Sequence, residues 1–304
     1  MSVFVRQNAI SMEYTKDSWA ILNPIEQSIK AKIEKYGTPL KDWDVSIYRG
    51  ILTGCNEAFI ISGEQRKKLI AEDPKSDEII RPILRGRDIK RYGYDFADLW
   101  LINIECGFTN KHRGNIPPEE FIKSKYPAVY RHFMQVANAK TKGKGLINRD
   151  DKGDYWWELR SCAYTNDFSK QKIVYPCIMA QEPCFMLDDH KHYPPAPGNI
   201  ITGPHLKYLL GFLCSKVCYF ALRQFYMGGG IEGELKTNRL LILPIPLPKD
   251  STSIDKLVSK LLEDKEKHCN VSATDNEIEN AVGRAYNLNN EEMQFIAESE
   301  YFQK

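Results

Sequence analysis

The chain has 304 residues, of which 42% are apolar, and a formal net charge of +2. This length fits one large domain or two and can bury a sizeable core, and no run of eighteen apolar residues predicts a membrane span. The amino terminus lacks the basic and apolar regions of a secretory signal, and eight cysteines without a CxxC pair are typical of reduced cytosolic thiols. Composition therefore excludes a membrane-spanning or disulfide-framed protein.

The charge is distributed unevenly along the chain. From residue 250 to the end there are 6 Lys and Arg against 12 Asp and Glu, whereas the preceding 249 residues hold 36 against 28. An acidic ending thus masks a basic body, and a basic body is a feature of proteins that bind nucleic acid.

The first regular element that the sequence predicts is a helix that begins after Asn23. Asn23 is a suitable N-cap, Pro24 suits the first helical position, and Glu26 completes a capping box. Apolar residues recur at helical spacing as far as Gly37, which is a plausible end. This helix either packs on the body of the protein or bridges to an upstream domain.

A glycine-containing loop follows, between strands predicted over residues 43–48 and 58–61. Gly50 and Gly54 allow positive φ angles and close backbone approach to a partner. The loop also carries polar side chains that can donate or accept hydrogen bonds: Arg49, Thr53 and Asn56.

A cationic segment lies about 25 residues further on. Five cations fall within eleven positions and are opposed there only by Asp88. Such a segment can neutralise a phosphate backbone, or it can be a solvated face whose arginines pair with Asp88 or Asp95. The five cations are Arg81, Arg85, Arg87, Lys90 and Arg91.

The rest of the chain alternates strand and helix patterns. Strands are predicted over residues 99–104, 173–179, 184–187, 199–202 and 240–243, and helices over 63–72, 118–124, 127–136 and 205–225. The helix over 205–225 has a broad apolar face and is expected to be the main core helix. Acidic helices are predicted over 251–268, 274–286 and 290–299.

Further polar residues are candidates for contact with a nucleic-acid partner. The glycine-rich segment after residue 139 is predicted to be a flexible cationic loop, and the segment from Lys170 to Gln181 borders a predicted strand pair. The candidates in these regions and beyond are Lys140, Lys142, Lys144, Lys170, Lys172, Gln181 and Lys236.

Catalytic motifs are weak throughout. The two Pro-Pro sequences do not match the motif that holds a flipped adenine, and Gly228–Gly230 is not followed by the Lys-Ser/Thr of a phosphate-binding loop. Glu234 and Lys236 resemble part of a nuclease site but lack an acidic partner one strand earlier. The Asp188–His192 cluster is predicted to be a solvated turn, and no zinc-finger spacing occurs.

An ordered set of motifs resembles the C-terminal, TaqI-like target-recognition domain of adenine-specific DNA methyltransferases and type IIG restriction–modification enzymes. These motifs are RGILTGCNEAFII, LRGRDIKRY, SKQKIVYPCIMAQEPCFMLDD, NIITGPHLKYLLGFLCSK and LKTNRLLILPIPLP, and the resemblance covers roughly residues 17–299.

The resemblance implies a fold and a division into parts. The expected fold is α/β (α+β), with a mixed, curved β-sheet flanked by helices. Residues 1–37 are then a lead-in and linker helix, 38–248 the DNA target-recognition domain, and 249–304 an acidic helical segment.

It also implies sequence-specific binding of double-stranded DNA in the cytoplasm, at the nucleoid. Catalysis is expected in an upstream methyltransferase or nuclease domain or subunit. No cofactor is expected in this chain, because S-adenosylmethionine and Mg²⁺ belong to that catalytic part. Two other classes stay open: a protein-interaction module that docks through helix 205–225 and the acidic ending, and a stand-alone nuclease.

Overall fold

A computed structural model describes residues 22–138, 145–179, 181–227, 233–248 and 253–303. The helices in these ranges are α1 (Pro24–Tyr36), α2 (Asn56–Phe59), α3 (Gly63–Glu72), α4 (Phe108–His112), α5 (Pro118–Lys125), α6 (Pro127–Asn138), α7 (Leu206–Leu213), α8 (Lys216–Ala221), α9 (Thr237–Leu240), α10 (Ser253–Glu266), α11 (Ser272–Ala285) and α12 (Asn290–Ala297). The strands are β1 (Thr38–Pro39), β2 (Ser46–Arg49), β3 (Ile60–Ser62), β4 (Ile80–Pro82), β5 (Ile89–Lys90), β6 (Gly93–Tyr94), β7 (Leu99–Ile102), β8 (Lys172–Tyr175), β9 (Met186–Asp188), β10 (Asn199–Thr202) and β11 (Pro244–Ile245).

The fold mixes helices and strands, as the sequence predicted, but the strands do not form one mixed sheet. They lie in small antiparallel sheets: a four-stranded sheet in the order β2-β10-β8-β9, a three-stranded sheet in the order β3-β7-β4, and the pairs β1-β11 and β5-β6. Strands of two to four residues carry too few ladder hydrogen bonds to hold a wide sheet, so helices supply most of the packing.

The four-stranded sheet separates two hydrophobic cores. Along β8, Ile173 and Tyr175 point to one core and Val174 points to the other; along β10, Ile201 and Ile200 divide in the same way. Successive side chains of a strand point to opposite faces, so this alternation places apolar residues on both sides. All four residues of β8 and of β10 are therefore buried.

Helix α1 packs on the body of the protein, which is one of the two alternatives that its sequence pattern left open. Its capping box at Asn23 and Glu26 forms as predicted. Ile29 and Ile33 are fully buried in the larger core. On its polar side, Lys32 Nζ lies 2.6 Å from a carboxylate oxygen of Glu292, near the start of α12.

The predicted helix over 205–225 is interrupted. Ser215 caps α8 by accepting a hydrogen bond from the Cys218 N–H at 3.1 Å, and a π-helical turn over Leu222–Tyr226 follows. The helices are buried as predicted, because the acidic ending covers them: a Cβ placed on Gly211 of α7 would lie 2.8 Å from Ile254 of α10. The apolar face of helix 205–225, which the protein-interaction hypothesis uses together with the acidic ending, is therefore covered by the chain itself.

Two predicted strands have other structures. The segment predicted as a strand over 58–61 begins as the last turn of α2 and becomes extended only at Ile60. The segment over 240–243 ends α9, and the extended residues are Pro244 and Ile245, which pair with β1. The two strands that flank the glycine loop do not pair with each other, since β2 joins the four-stranded sheet and β3 joins the three-stranded sheet.

Candidate nucleic-acid interface

The glycine loop connects the two sheets, and Gly50 and Gly54 each have a structural role in it. Gly50 lies so close to the segment after His192 that a Cβ there would be 2.4 Å from the Pro194 carbonyl oxygen. Gly54 has φ +66°, in the left-handed region that favours glycine. The close approach is internal, however, and not to a bound partner.

The polar residues of the loop differ in exposure. Thr53 is only 4% exposed, and its hydroxyl donates a 2.5 Å hydrogen bond to Oδ1 of Asn56. This corrects the prediction that Thr53 contacts DNA, because a buried hydroxyl with an internal acceptor cannot reach a base. Asn56 and Arg49 are exposed.

Arg149 lies beneath this loop and joins it by hydrogen bonds to the segment over residues 146–158. The side chain is 3% exposed and donates only to backbone carbonyl groups, and its guanidinium lies 4.7 Å from the ring centroid of Phe59. Burial lowers the pKa of Arg149 to about 10, so the group stays charged at neutral pH. Its acceptors are the carbonyl groups of Thr53, Leu146, Asp151, Trp156 and Glu158.

A group of exposed cations lies beside the loop, and we call these residues the cationic face: Arg49, Arg160, Lys170 and Lys236. Arg49 and Arg160 line one cavity, and charges of this set act on two titratable groups. Burial raises the pKa of Tyr164, and the charges of Arg49 and Arg160 act against that rise. Burial and Glu234 raise the pKa of Cys177, and Arg49 and Lys236 act against it. The ring of Tyr164 stacks on Tyr48 at 4.3 Å between centroids, and Tyr48 lies within electrostatic range of Lys170.

The cations of this face have weak internal partners. Nη1 of Arg160 lies 3.1 Å from Oδ1 of Asp151, and Nζ of Lys170 lies 2.7 Å from Oδ1 of Asp167. Nζ of Lys236 lies 3.6 Å from Oε2 of Glu234. Exposed ion pairs contribute about 0–1 kcal/mol, so a phosphate can replace the carboxylate at little cost. Arg49 has no ion-pair partner among the residues that the structure describes.

The segment Arg85–Lys90 adjoins this face through a tight contact. A Cβ on Gly86 would lie 3.2 Å from Cβ of Pro176, the residue before Cys177. Arg87 and Lys90 are exposed, whereas Arg85 donates two hydrogen bonds through its guanidinium to Asp88, at 2.9 and 2.7 Å. Burial acts to raise the pKa of Asp88, but these bonds hold it below its usual value. Arg85 therefore has the internal partner that the sequence left as an alternative.

Arg91 does not belong to a DNA-binding surface. Its guanidinium lies 2.6 Å from Asp275 and 3.2 Å from Glu279, and its Nε donates to the Cys214 carbonyl at 2.8 Å. These contacts join the β5–β6 pair to α11 and α7. The prediction that Arg91 contacts phosphate is corrected, because its donors are used to hold elements of the fold together.

The prediction that Lys172 contacts DNA is also corrected, because its ammonium group has internal partners. Its side chain is fully buried in β8, where the ammonium donates to Asp188 of β9 and to the Phe168 carbonyl. Nδ1 of His192 lies 2.7 Å from the same carboxylate. Asp188 and His192 thus form a buried polar network with Lys172, whereas Asp189, His190 and Lys191 between them are exposed, as the predicted solvated turn requires.

The remaining predicted residues cannot all be placed. Gln181 is exposed on the connection between β8 and β9. Lys140, Lys142 and Lys144 lie outside the described residues, as does Gly228–Gly230.

The described residues contain few of the metal-ligand groups that a nuclease site requires. Within the described ranges, one group of side chains has metal-ligand spacing: Cys106, Asp154 and Glu158. The Glu158 carboxylate accepts backbone N–H groups of Thr109 and Asp154 at 2.9 and 3.0 Å, so it already organises the loops around it. Glu234 and Lys236 form an ion pair with each other. No described helix is long and apolar enough to cross a membrane.

Sequence reasoning missed Arg160 and the pair Tyr48–Tyr164. Arg160 has no other cation nearby in sequence, Lys152 and Lys170 being the nearest, so no basic run marks it. The tyrosines are 116 positions apart and meet only because the segment before β8 crosses the edge strand β2.

Comparison with known proteins supports the DNA-facing interpretation. Residues 81–245 match the family model described as the TaqI-like C-terminal specificity domain. The chain is 23% identical over 225 residues to the type II methyltransferase M.MjaIV of Methanocaldococcus jannaschii, covering 71% of this chain and 68% of that protein.

A search of solved structures found two restriction–modification enzymes that resemble this chain. One is the type IIL restriction–modification enzyme MmeI in complex with DNA, with a TM-score of 0.57 and 15% identity over 86% of this chain. The other is the type IIG restriction endonuclease BpuSI, with a TM-score of 0.49 and 16% identity over 86% of this chain. The chain spans 35% and 33% of these two proteins, about a third of their length. Since the family model covers more than half of the chain, the protein belongs to the TaqI-like C-terminal specificity domain family.

Proposed function

We propose that this chain recognises a specific sequence in double-stranded DNA for an N6-adenine DNA methyltransferase or a type IIG restriction–modification enzyme. The observation that carries the proposal is the cationic face, most of which lies within the segment that matches the specificity-domain family. The methyltransferase relative and the fold shared with MmeI support the same function. The working place of such a protein is the cytoplasm, at the nucleoid.

The residues divide into two tasks. Arg49, Arg160 and Lys236 neutralise phosphates and set the position of the duplex, as do Arg87 and Lys90 on the adjoining segment. Exposed polar side chains of the two connections, Asn56 and Gln181, contact base edges. A bidentate contact from an amide to adenine is worth about 1–3 kcal/mol of discrimination.

Catalysis belongs to another part of the enzyme in this proposal. The methyl donor S-adenosylmethionine, and Mg²⁺ where cleavage occurs, would be bound there, and that domain or subunit is the expected protein partner. The contribution of this chain is binding energy that depends on sequence.

Selection from a random duplex library tests the proposal. The chain is incubated with random-sequence duplexes, and bound DNA is recovered and sequenced over several rounds. We expect enrichment of one short motif, and we expect Gln181→Ala or Asn56→Ala to relax preference at one base pair. Bound DNA that stays random in sequence would contradict the proposal.

A further inference from the structure

A cavity of about 340 Å³ opens beside the cationic face. Three segments that are distant in sequence form its walls: residues 49–52 at the end of β2, residues 103–106 after β7, and residues 159–165. Its volume falls in the lower part of the range of roughly 300–1,000 Å³ that is typical of small-ligand sites.

The charged and aromatic groups of this cavity are Arg49, Arg160 and Tyr164. Both arginines are exposed, and one ring face of Tyr164 is covered by Tyr48 at an interplanar angle of 7°. A stacked ring beside two guanidinium groups combines a flat apolar surface with groups that bind phosphate.

A polar pair lines the cavity, with a buried amide and an exposed carboxylate. Asn103 is 8% exposed, and its Nδ2 donates to a carboxylate oxygen of Glu105 at a long 3.4 Å. The backbone N–H of Asn103 is bonded to the Ile79 carbonyl at 2.7 Å, which holds the residue at the end of β7. The cavity therefore offers one amide whose backbone is held in place and one exposed carboxylate beside it, and the long contact between them is easily exchanged for a ligand.

Shape decides what this pair can bind. An intact duplex presents grooves, and proteins read its base edges with side chains that project into those grooves. Asn103 is recessed, so a base that remains stacked in a duplex cannot reach it. A recess on a DNA-facing surface fits a group that projects from the DNA, and a base turned out of the stack is such a group.

We propose that this cavity receives an extruded nucleotide whose base carries an exocyclic amine, that is, adenine or cytosine. Glu105 accepts from the amine, Asn103 bonds the adjacent ring nitrogen, and Arg49 and Arg160 hold the flanking phosphates. The inference rests on the proposed function, since it takes DNA as the ligand, and it assigns a site that is separate from groove reading.

Mismatched duplexes test it. The motif from the library selection is prepared as a matched duplex and with a single mispaired base at each position in turn, because an unpaired base costs less to extrude. At one position we expect wild-type protein to bind the duplex with mispaired adenine or cytosine about tenfold more tightly than the matched duplex, and to show no such gain for thymine. An adenine analogue whose fluorescence rises on unstacking should brighten at that position.

Two variants separate the cavity from the rest of the surface. Asn103→Leu removes the polar edge, and Ala163→Trp fills the mouth without changing charge. Both are expected to weaken binding of the mispaired duplex more than that of the matched duplex, and so to lose the mismatch preference. Arg87→Ala, which lies outside the cavity, should weaken binding of the matched and the mispaired duplex equally and should keep the mismatch preference. Thermal melting of each variant checks that it is folded. One folded cavity variant is enough for the test.

The possible failures are distinguishable. If wild type binds the selected motif with no preference for any mispaired base, or if both folded cavity variants keep the preference, this inference is wrong and the proposed function stands. If the library selection yields no motif, the proposed function fails and the inference fails with it.

Discussion

Arg149 shows how one residue can shape a binding surface without touching the ligand. Its guanidinium bonds five backbone carbonyl groups, one of them at Thr53 in the glycine loop. The planar fork of arginine supplies five donors in fixed directions, which the ammonium group of lysine cannot match. The loop that carries Asn56 is thus held by a cation that is itself out of contact with solvent.

Replacing Arg149 with Met should destabilise the protein by about 3 kcal/mol or more. The buried carbonyl groups lose their donors, and each unsatisfied group costs about 1–3 kcal/mol. Denaturant unfolding measures the change. Arg149→Lys should recover only part of the loss, because it keeps the charge but not the geometry. Full recovery by lysine would show that charge, and not the fork of hydrogen bonds, is what the site requires.

Residue type alone did not reveal which cations are buried. Lys172 has its partner Asp188 sixteen positions away on a neighbouring strand, and Arg91 has Asp275 at 184 positions. Neither pairing leaves a local signal, since the partner is chosen by strand register and helix packing. Arg85, by contrast, has its partner three residues away, and the sequence did suggest it.

At the scale of elements, the segment that was predicted to be a single cationic surface divides into two. Arg87 is exposed and has no ion-pair partner in the described residues, whereas Arg91 is bound by Asp275 and Glu279 of α11. Four positions separate a side chain that is available to DNA from one that holds β5–β6 against the acidic helices.

Arg87→Ala and Arg91→Ala form a matched pair of variants. Each removes one arginine from the same segment. We expect Arg91→Ala to lower the free energy of unfolding by about 3–5 kcal/mol, because it leaves partly buried carboxylates unpaired, and to leave the affinity of the folded protein for DNA unchanged. Arg87→Ala should leave stability within about 0.5 kcal/mol and weaken DNA binding. The reverse pattern would refute the division of roles.

The same contact predicts a dependence of stability on pH. Burial raises the pKa of Glu279 to about 7, although the Lys216 N–H and Arg91 oppose the rise, and Asp275 adds to it. A folded-state pKa above the unfolded value means that the native state binds the extra proton. Its contribution to stability is complete below the unfolded pKa and is lost as pH rises through the folded pKa.

Unfolding by urea between pH 4 and pH 8 should therefore show a component of stability that falls as pH rises, and Glu279→Gln should remove it. Glutamine keeps an acceptor for the Lys216 N–H, so the comparison isolates the titration. The difference between wild type and variant should change across this interval. A difference that is constant with pH would show that Glu279 does not titrate there.

Local signals predicted the helices better than the strands. The capping box at Asn23 was readable because the cap and its partner are three residues apart. The break at Ser215 also has a local cause, a serine N-cap, but the continuous apolar face of 205–225 outweighed it in the prediction. The short strands depend on partners far along the chain, so their ends shifted and their division into separate sheets was not predicted.

At the scale of the whole molecule, the two ends of the described chain pack together with its central part. Residues 22–37 and 253–303 share one hydrophobic core with the four-stranded sheet, so the first helix and the acidic ending build the support on which the cationic face rests. The acidic charge therefore has a structural location, packed behind α7 and α8. This arrangement explains how a chain of small net charge can present a basic surface.

The central claim is that the cationic face binds phosphates, and the salt dependence of DNA affinity tests it most directly. The affinity for the selected duplex is measured at several salt concentrations for wild type and for the variant Arg49→Ala, Arg160→Ala, Lys236→Ala. A second triple variant, Lys256→Ala, Lys260→Ala, Lys267→Ala, removes the same charge from α10 and the turn after it. The account predicts that the first variant binds more weakly than wild type. The slope of its log affinity against log salt should become less steep by about 2.7, at roughly 0.9 per phosphate contact. The second variant should match wild type in both affinity and slope. Equal affinity and equal slope in both triple variants would contradict it.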